Sequence, residues 1–127
     1  MRISVLGTGY VGLVVGTGFA ESGHLVTCVD RDAERIAGLT RGQLPIYEPG
    51  LEELVARNIE EERLRFSTDT AQAVADSLIV FICVGTPARE DGHLDTSEVF
   101  AVAGQIARAM TGYRIVVNKS TCPIGTS

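Results

Sequence analysis

Close to the start of the chain, directly after a short apolar run, stand Gly7-Thr8-Gly9-Tyr10-Val11-Gly12, a GxGxxG pattern. The chemistry such glycines serve is close approach. Gly7 permits a tight turn, Gly9 lets a pyrophosphate reach the backbone, and Gly12 lets the following helix pack tightly on a sheet. Unpaired amides where that helix opens, near Tyr10, face the anion. Alone the pattern is a weak signal, because glycines also make turns with no ligand. Here a strand precedes it, a helix follows, and an acid, Asp30, stands about 20 positions on at the end of a second apolar run, as a dinucleotide site requires. Asp30 can accept both hydroxyls of an adenosine ribose, and its charge would repel a 2′-phosphate by about 1 to 4 kcal/mol at 4 Å. NAD is therefore favoured over NADP. Arg31 and Arg35 pull the other way, since either could neutralise a phosphate, or serve only as a solvated helix charge.

These residues need elements to hold them. Short β-branched runs over residues 3–6, 25–30, 64–67, 78–84 and 114–118 read as strands, separated by helical signals. A first helix opens near Tyr10 and closes at Gly23, and a second runs over residues 32–40 and stops at Gly42. In a third, Pro49 occupies the first turn, Glu52 and Glu53 suit the positive end of the dipole, and Leu51, Leu54, Val55 and Ile59 form one face. Asp69 with Gln72, and Asp95 with Glu98, have the capping-box spacing, so helices start at Thr70 and Thr96. The latter buries Val99, Val102, Ala103, Ile106 and Met110. The loops over residues 42–48 and 87–94 are candidate lids.

Strands alternating with helices imply right-handed crossovers and a parallel sheet covered on both faces: an α/β, doubly wound, Rossmann-like fold with strand order 3-2-1-4-5. In that order a ligand lies across the carboxyl ends of strands one, four and five. The loops there are Gly85-Thr86-Pro87 and Ser120-Thr121-Cys122-Pro123. Thr86 and Thr121 either reach the nicotinamide half through their hydroxyls or simply punctuate loops before proline. Cys122 has no histidine placed to activate it, since His24 follows a turn and His93 lies in a loop. Cys28 and Cys83 sit within strands and read as small core residues. Lys119, the only lysine, is open to two readings: a group that holds a substrate or carbonyl, or a solvated strand end.

With 127 residues the chain makes one compact unit, at roughly 100 to 200 residues per domain. Hydrophobic residues at 45% and charged residues at 21% mark a folding chain rather than a disordered one. A net charge of −5 offers no field for nucleic acid or an anionic membrane. Three scattered cysteines without a CxxC pair argue against a disulfide framework and a zinc site, so no metal is expected and a reducing cytoplasm fits best. No signal-peptide pattern opens the sequence, and the apolar stretch before Glu21 is far short of the roughly 20 residues that span a bilayer.

The segments MRISVLGTGYVGLVVGTGFAESGH, LPIYEPGLEELV, VFICVGTP and VNKSTCPIGTS together resemble the N-terminal NAD-binding domain of the UDP-glucose 6-dehydrogenase family, within the UDP-glucose/GDP-mannose dehydrogenase superfamily. The resemblance covers essentially the whole chain. It implies NAD-dependent, four-electron oxidation of a UDP-sugar primary alcohol to the uronic acid, through an aldehyde and an enzyme thioester. It also implies Val11, Asp30, Arg35, Thr86 and Thr121 as NAD contacts. Arg35 stands where the family usually has lysine, and a forked guanidinium does not replace an ammonium atom for atom. Thr121 is implied in positioning the catalytic water or proton, and Cys122 falls where relatives commonly carry an aliphatic residue. The family's nucleophilic cysteine, its lysine and asparagine partners and its sugar-binding domain lie beyond the corresponding point. Residues 1–127 are thus expected to be a cofactor module truncated before a sixth strand, without dimerisation or sugar-binding domains and inactive alone. The rival is a stand-alone dinucleotide-binding domain. GDP-mannose and UDP-N-acetylmannosamine are the other candidate sugars, although the tyrosine of PIYEPGL tilts the reading to UDP-glucose. With strand five an uncovered edge, self-association as a homodimer is expected.

Overall fold

The structure is a computed structural model and describes residues 1–44, 49–83, 101, 103, 104, 106–108 and 115–118. Along the chain run β1 (Arg2–Leu6), α1 (Tyr10–Glu21), β2 (Leu25–Val29), α2 (Ala33–Thr40), α3 (Leu51–Glu60), β3 (Leu64–Ser67), α4 (Thr70–Asp76), β4 (Ile79–Ile82) and β5 (Ile115–Asn118). The strands form one parallel five-stranded sheet in the order β3-β2-β1-β4-β5, as the alternation of elements predicts. Register is fixed at the centre, where Val5 of β1 faces Cys28 of β2 and Phe81 of β4.

The two-residue period of the strands divides the core in two. Ile3, Val5, Val26, Cys28, Phe81 and Cys83 point to one face, under Leu13 and Ala20 of α1, Ile36 and Leu39 of α2, and Leu51 and Val55 of α3. Leu6, Val29, Val80 and Ile82 point to the other, under Ala73 and Val74 of α4 and Ile106. Each fully buried aliphatic side chain contributes about 1.5 to 3 kcal/mol. The two cysteines are core residues, as expected, and burial together with the nearby Cys83 pushes the Cys28 thiol up to about 12, so it stays protonated and inert.

The α1 sequence is a poor helix former, because each interior glycine costs about 1 kcal/mol relative to alanine. Tertiary packing explains the choice. A Cβ on Gly12 would lie 1.9 Å from the Gly7 carbonyl oxygen, and one on Gly16 would lie 2.6 Å from the Cys28 Sγ. Only a bare backbone lets the helix settle this near the loop and β2.

Local signals held in part. Asp32 caps α2 by accepting from the Glu34 and Arg35 amides at 3.1 and 3.2 Å. Pro49 lies outside α3 rather than in its first turn, because Gly50, at φ 83°, takes a left-handed conformation and serves as the N-cap. At α4 Asp69 accepts from the Gln72 amide at 3.0 Å, but the reciprocal half of the capping box does not form. The Gln72 side chain donates instead to Asp76 one turn on, and the Asp69 amide donates to the Ser67 hydroxyl. Residues 101, 103, 104 and 106–108 are helical; Ile106 is buried, but Ala103 is exposed. Three residues turn a helix by about 300°, so the edge of the buried face falls between the two. The Asp95 cap, Val99, Val102, Met110 and both candidate lids, except residues 42–44, lie outside the described residues.

At the N-terminal end of the sheet, the buried Asn58 of α3 donates from Nδ2 to Glu21 of α1 at 2.9 Å and to the Leu54 carbonyl at 2.8 Å. Its Oδ1 accepts from the Arg63 Nε at 3.0 Å. Arg57 adds a second bond to Glu21, at 2.5 Å, and Arg63 also pairs with Glu61. The network ties α1 to α3 and to the start of β3.

Candidate functional site

At the opposite end of the sheet the chain leaves β1 through Gly7, whose φ of 107° suits glycine and whose amide donates to the Val29 carbonyl at 2.7 Å. This bond carries the loop across the end of β2. Thr8 is turned inward with no exposed surface, and both its groups meet one atom. Its amide donates to the Asp30 Oδ2 at 3.1 Å and its hydroxyl to the same oxygen at 2.7 Å. The Asp32 amide donates to the Asp30 Oδ1 at 3.0 Å, and the Arg35 Nη1 approaches Oδ2 at 3.5 Å. Burial pushes the Asp30 carboxyl up, but the bonds from Asp32 and Thr8, with the Arg35 charge, outweigh it and hold the group below the usual carboxylate range.

Gly9 is the N-cap of α1, and among the described residues no side chain caps the helix there. Among the described residues nothing lies within 4 Å of where a Gly9 Cβ would stand, and Tyr10 and Val11 are exposed. The first turn of α1 carries no acid. An uncapped helix start, free of negative charge and open at a glycine, suits an anion held by backbone amides and the positive end of the dipole. A dinucleotide fits this set of donors and acceptors: amides for the pyrophosphate at α1, and an ionised carboxylate for ribose hydroxyls at the end of β2.

The structure thus brings together Gly7, Gly9, Tyr10, Val11, Gly12, Asp30 and Arg35. Arg35 is not a purely solvated charge, since its Nη1 faces the Asp30 Oδ2. The ends of β1, β4 and β5 adjoin in register, with Leu6 beside Ile82 and Ile82 beside Asn118. The loops that follow β4 and β5, with Thr86, Lys119, Thr121 and Cys122, lie outside the described residues.

Two residues escaped the sequence reading. Thr8 occupies a variable place in the glycine pattern, and the available signal was a hydroxyl and an acid just beyond the paired ends Leu6 and Val29 of neighbouring strands. Gly16 follows Gly12 by four positions, on the same helix face, which was a sign of close packing along a whole helix turn.

Residues 1–127 match the UDP-glucose/GDP-mannose dehydrogenase family, NAD binding domain. The chain is 54% identical to a UDP-glucose 6-dehydrogenase of Rhizobium meliloti, over 99% of its own length and 29% of that relative's. Among solved structures it is similar to a UDP-glucose dehydrogenase of Pyrobaculum islandicum, at 42% identity and a TM-score of 0.94, covering 99% of this chain and 30% of that one. It is also similar to a GDP-mannose dehydrogenase of Pseudomonas aeruginosa, at 40% identity and a TM-score of 0.95, again over 99% and 30%. The chain therefore spans under a third of the length of these proteins. Fold, loop and sequence agree that this chain belongs to the UDP-glucose/GDP-mannose dehydrogenase family, as its NAD binding domain.

Proposed function

We propose that the protein carrying this chain is an NAD-dependent UDP-glucose 6-dehydrogenase in which residues 1–127 form a single domain that binds NAD. The observation that carries the reading is Asp30, ionised and fixed at the end of β2 beside the uncapped start of α1. In this reading the amides of the first turn of α1, beside Gly9, Tyr10, Val11 and Gly12, hold the pyrophosphate. Asp30 accepts from the adenosine ribose, and Arg35 flanks it. Thr86 and Thr121 serve the nicotinamide half, and Thr121 positions the water or proton. When bound there, NAD would supply the hydride acceptor for oxidation of the sugar alcohol. The nucleotide-sugar site and the dimerisation segment are assigned to other parts of the full-length protein.

The name of the 54% identical relative favours UDP-glucose as substrate. A second reading, GDP-mannose, is favoured by the P. aeruginosa structure, whose 40% identity and TM-score of 0.95 stand close to the 42% and 0.94 of the UDP-glucose enzyme. A homodimer is supported by β5, an outer strand among the described residues, on which Ile115 and Val116 are 40% and 43% exposed. A cytoplasmic location is supported by the reduced, buried Cys28 and Cys83.

The test is turnover by the full-length protein with UDP-glucose, GDP-mannose and UDP-N-acetylmannosamine in turn. UDP-glucuronate with two NADH formed per UDP-glucose is expected. NADH binding without turnover of any of the three would favour a stand-alone binding domain.

A further inference from the structure

We infer that Thr8 is a positioning residue that aims the Asp30 carboxylate at the ribose and thereby sets the preference for NAD over NADP; the inference rests on the proposed NAD site. A carboxylate accepts about four hydrogen bonds, two at each oxygen. At Asp30 the two strong positions on Oδ2 are both taken by Thr8, at 3.1 and 2.7 Å, and one position on Oδ1 is taken by the Asp32 amide, at 3.0 Å. Among the described residues nothing else donates to Oδ1, which leaves its remaining direction for a ligand hydroxyl. The Arg35 contact to Oδ2, at 3.5 Å from a side chain 41% exposed, is the weakest of the set.

Two donors from one residue on one oxygen fix more than its position. They hold the plane of the carboxylate, because rotation would break a charge-assisted bond and leave the fully buried Thr8 hydroxyl without an acceptor. Arg35 competes for the same oxygen from α2. As long as Thr8 wins, the carboxylate stays turned to the glycine loop, where it accepts ribose hydroxyls and repels a 2′-phosphate. Without the Thr8 hydroxyl, the guanidinium draws Oδ2 towards α2, and the neutralised pair no longer discriminates.

The experiment measures NADH and NADPH dissociation constants by fluorescence titration of the full-length protein. Thr8→Val keeps the shape of the side chain and removes its donor. It is expected to weaken NADH about tenfold and NADPH far less, so the ratio between the cofactors narrows about fivefold. Thr8→Ser restores the donor and is expected to restore the ratio. If Thr8→Val does not fold, Thr8→Cys, a weak donor, takes its place and is expected to narrow the ratio relative to Thr8→Ser. A ratio unchanged within twofold in Thr8→Val, or equal in Thr8→Cys and Thr8→Ser, overturns the inference while wild-type NADH binding leaves the site assignment standing. No saturable NADH binding by the wild type overturns both.

Discussion

Asp30 and Asn58 are polar groups at opposite ends of the same sheet, and they end in opposite conditions. Asn58 has both amide hydrogens and its oxygen engaged, by Glu21, the Leu54 carbonyl and Arg63, all within the protein. Asp30 is held as firmly, by Thr8 and Asp32, yet retains acceptor capacity and stands beside an uncapped helix start. A closed network joins elements and has nothing left to offer a ligand. A rigid but incompletely satisfied group is poised to bind one. The contrast repeats within the glycine loop, where Gly12 is filled by the Gly7 carbonyl and Gly9 meets nothing among the described residues.

The largest expected effect sharpens that second contrast. Gly12→Ala drives a Cβ to within 1.9 Å of backbone, and should cost on the order of 3 kcal/mol of stability in urea unfolding, with NADH binding lost as well. Gly9→Ala meets nothing among the described residues, so its unfolding free energy should move by no more than about 0.5 kcal/mol while NADH affinity falls at least about tenfold. Equal stability losses would erase the distinction between the two glycines.

Next in size is Asn58→Ala, which leaves Glu21 and Arg63 short of partners and should destabilise the fold by about 2 to 3 kcal/mol with NADH affinity unchanged. Weakened NADH binding in a folded Asn58→Ala protein would show that the two ends are coupled.

The smallest effect concerns acid. Asn58 and Arg57 hold the Glu21 carboxyl below its ordinary value, so its contribution is fully present above the ordinary carboxylate range and is lost as pH falls through the lowered value. Glu21→Gln should therefore unfold at slightly lower urea at pH 7 and approach the wild type as pH falls below 4. A difference that grows towards acid pH has the wrong sign for this account.

The sheet order, the glycine loop and Asp30 were legible because each follows a short-range rule: period two in strands, turn chemistry at glycine, an acid at a fixed distance along the chain. Asn58 was not. It lies on the same face as Leu51 and Val55, and a pattern reading sends a polar residue outward unless its partner is known; here that partner, Glu21, is 37 residues away. Thr8 was hidden for the same reason, since its inward turn depends on a carboxylate 22 residues on. Gln72 found a partner at Asp76 that the capping rule does not weigh. Local chemistry is written in the neighbouring letters, whereas the satisfaction of buried polar groups is settled only once distant segments meet.

The central claim is that the ends of β1 and β2 form the cofactor site with Asp30 as its ribose acceptor. Calorimetric titration of NADH into the full-length protein and its Asp30→Ala variant tests it directly. Loss of the charged acceptor should weaken NADH by about 1 to 3 kcal/mol, or roughly 5- to 150-fold. An unchanged dissociation constant in a folded Asp30→Ala protein would contradict the assignment.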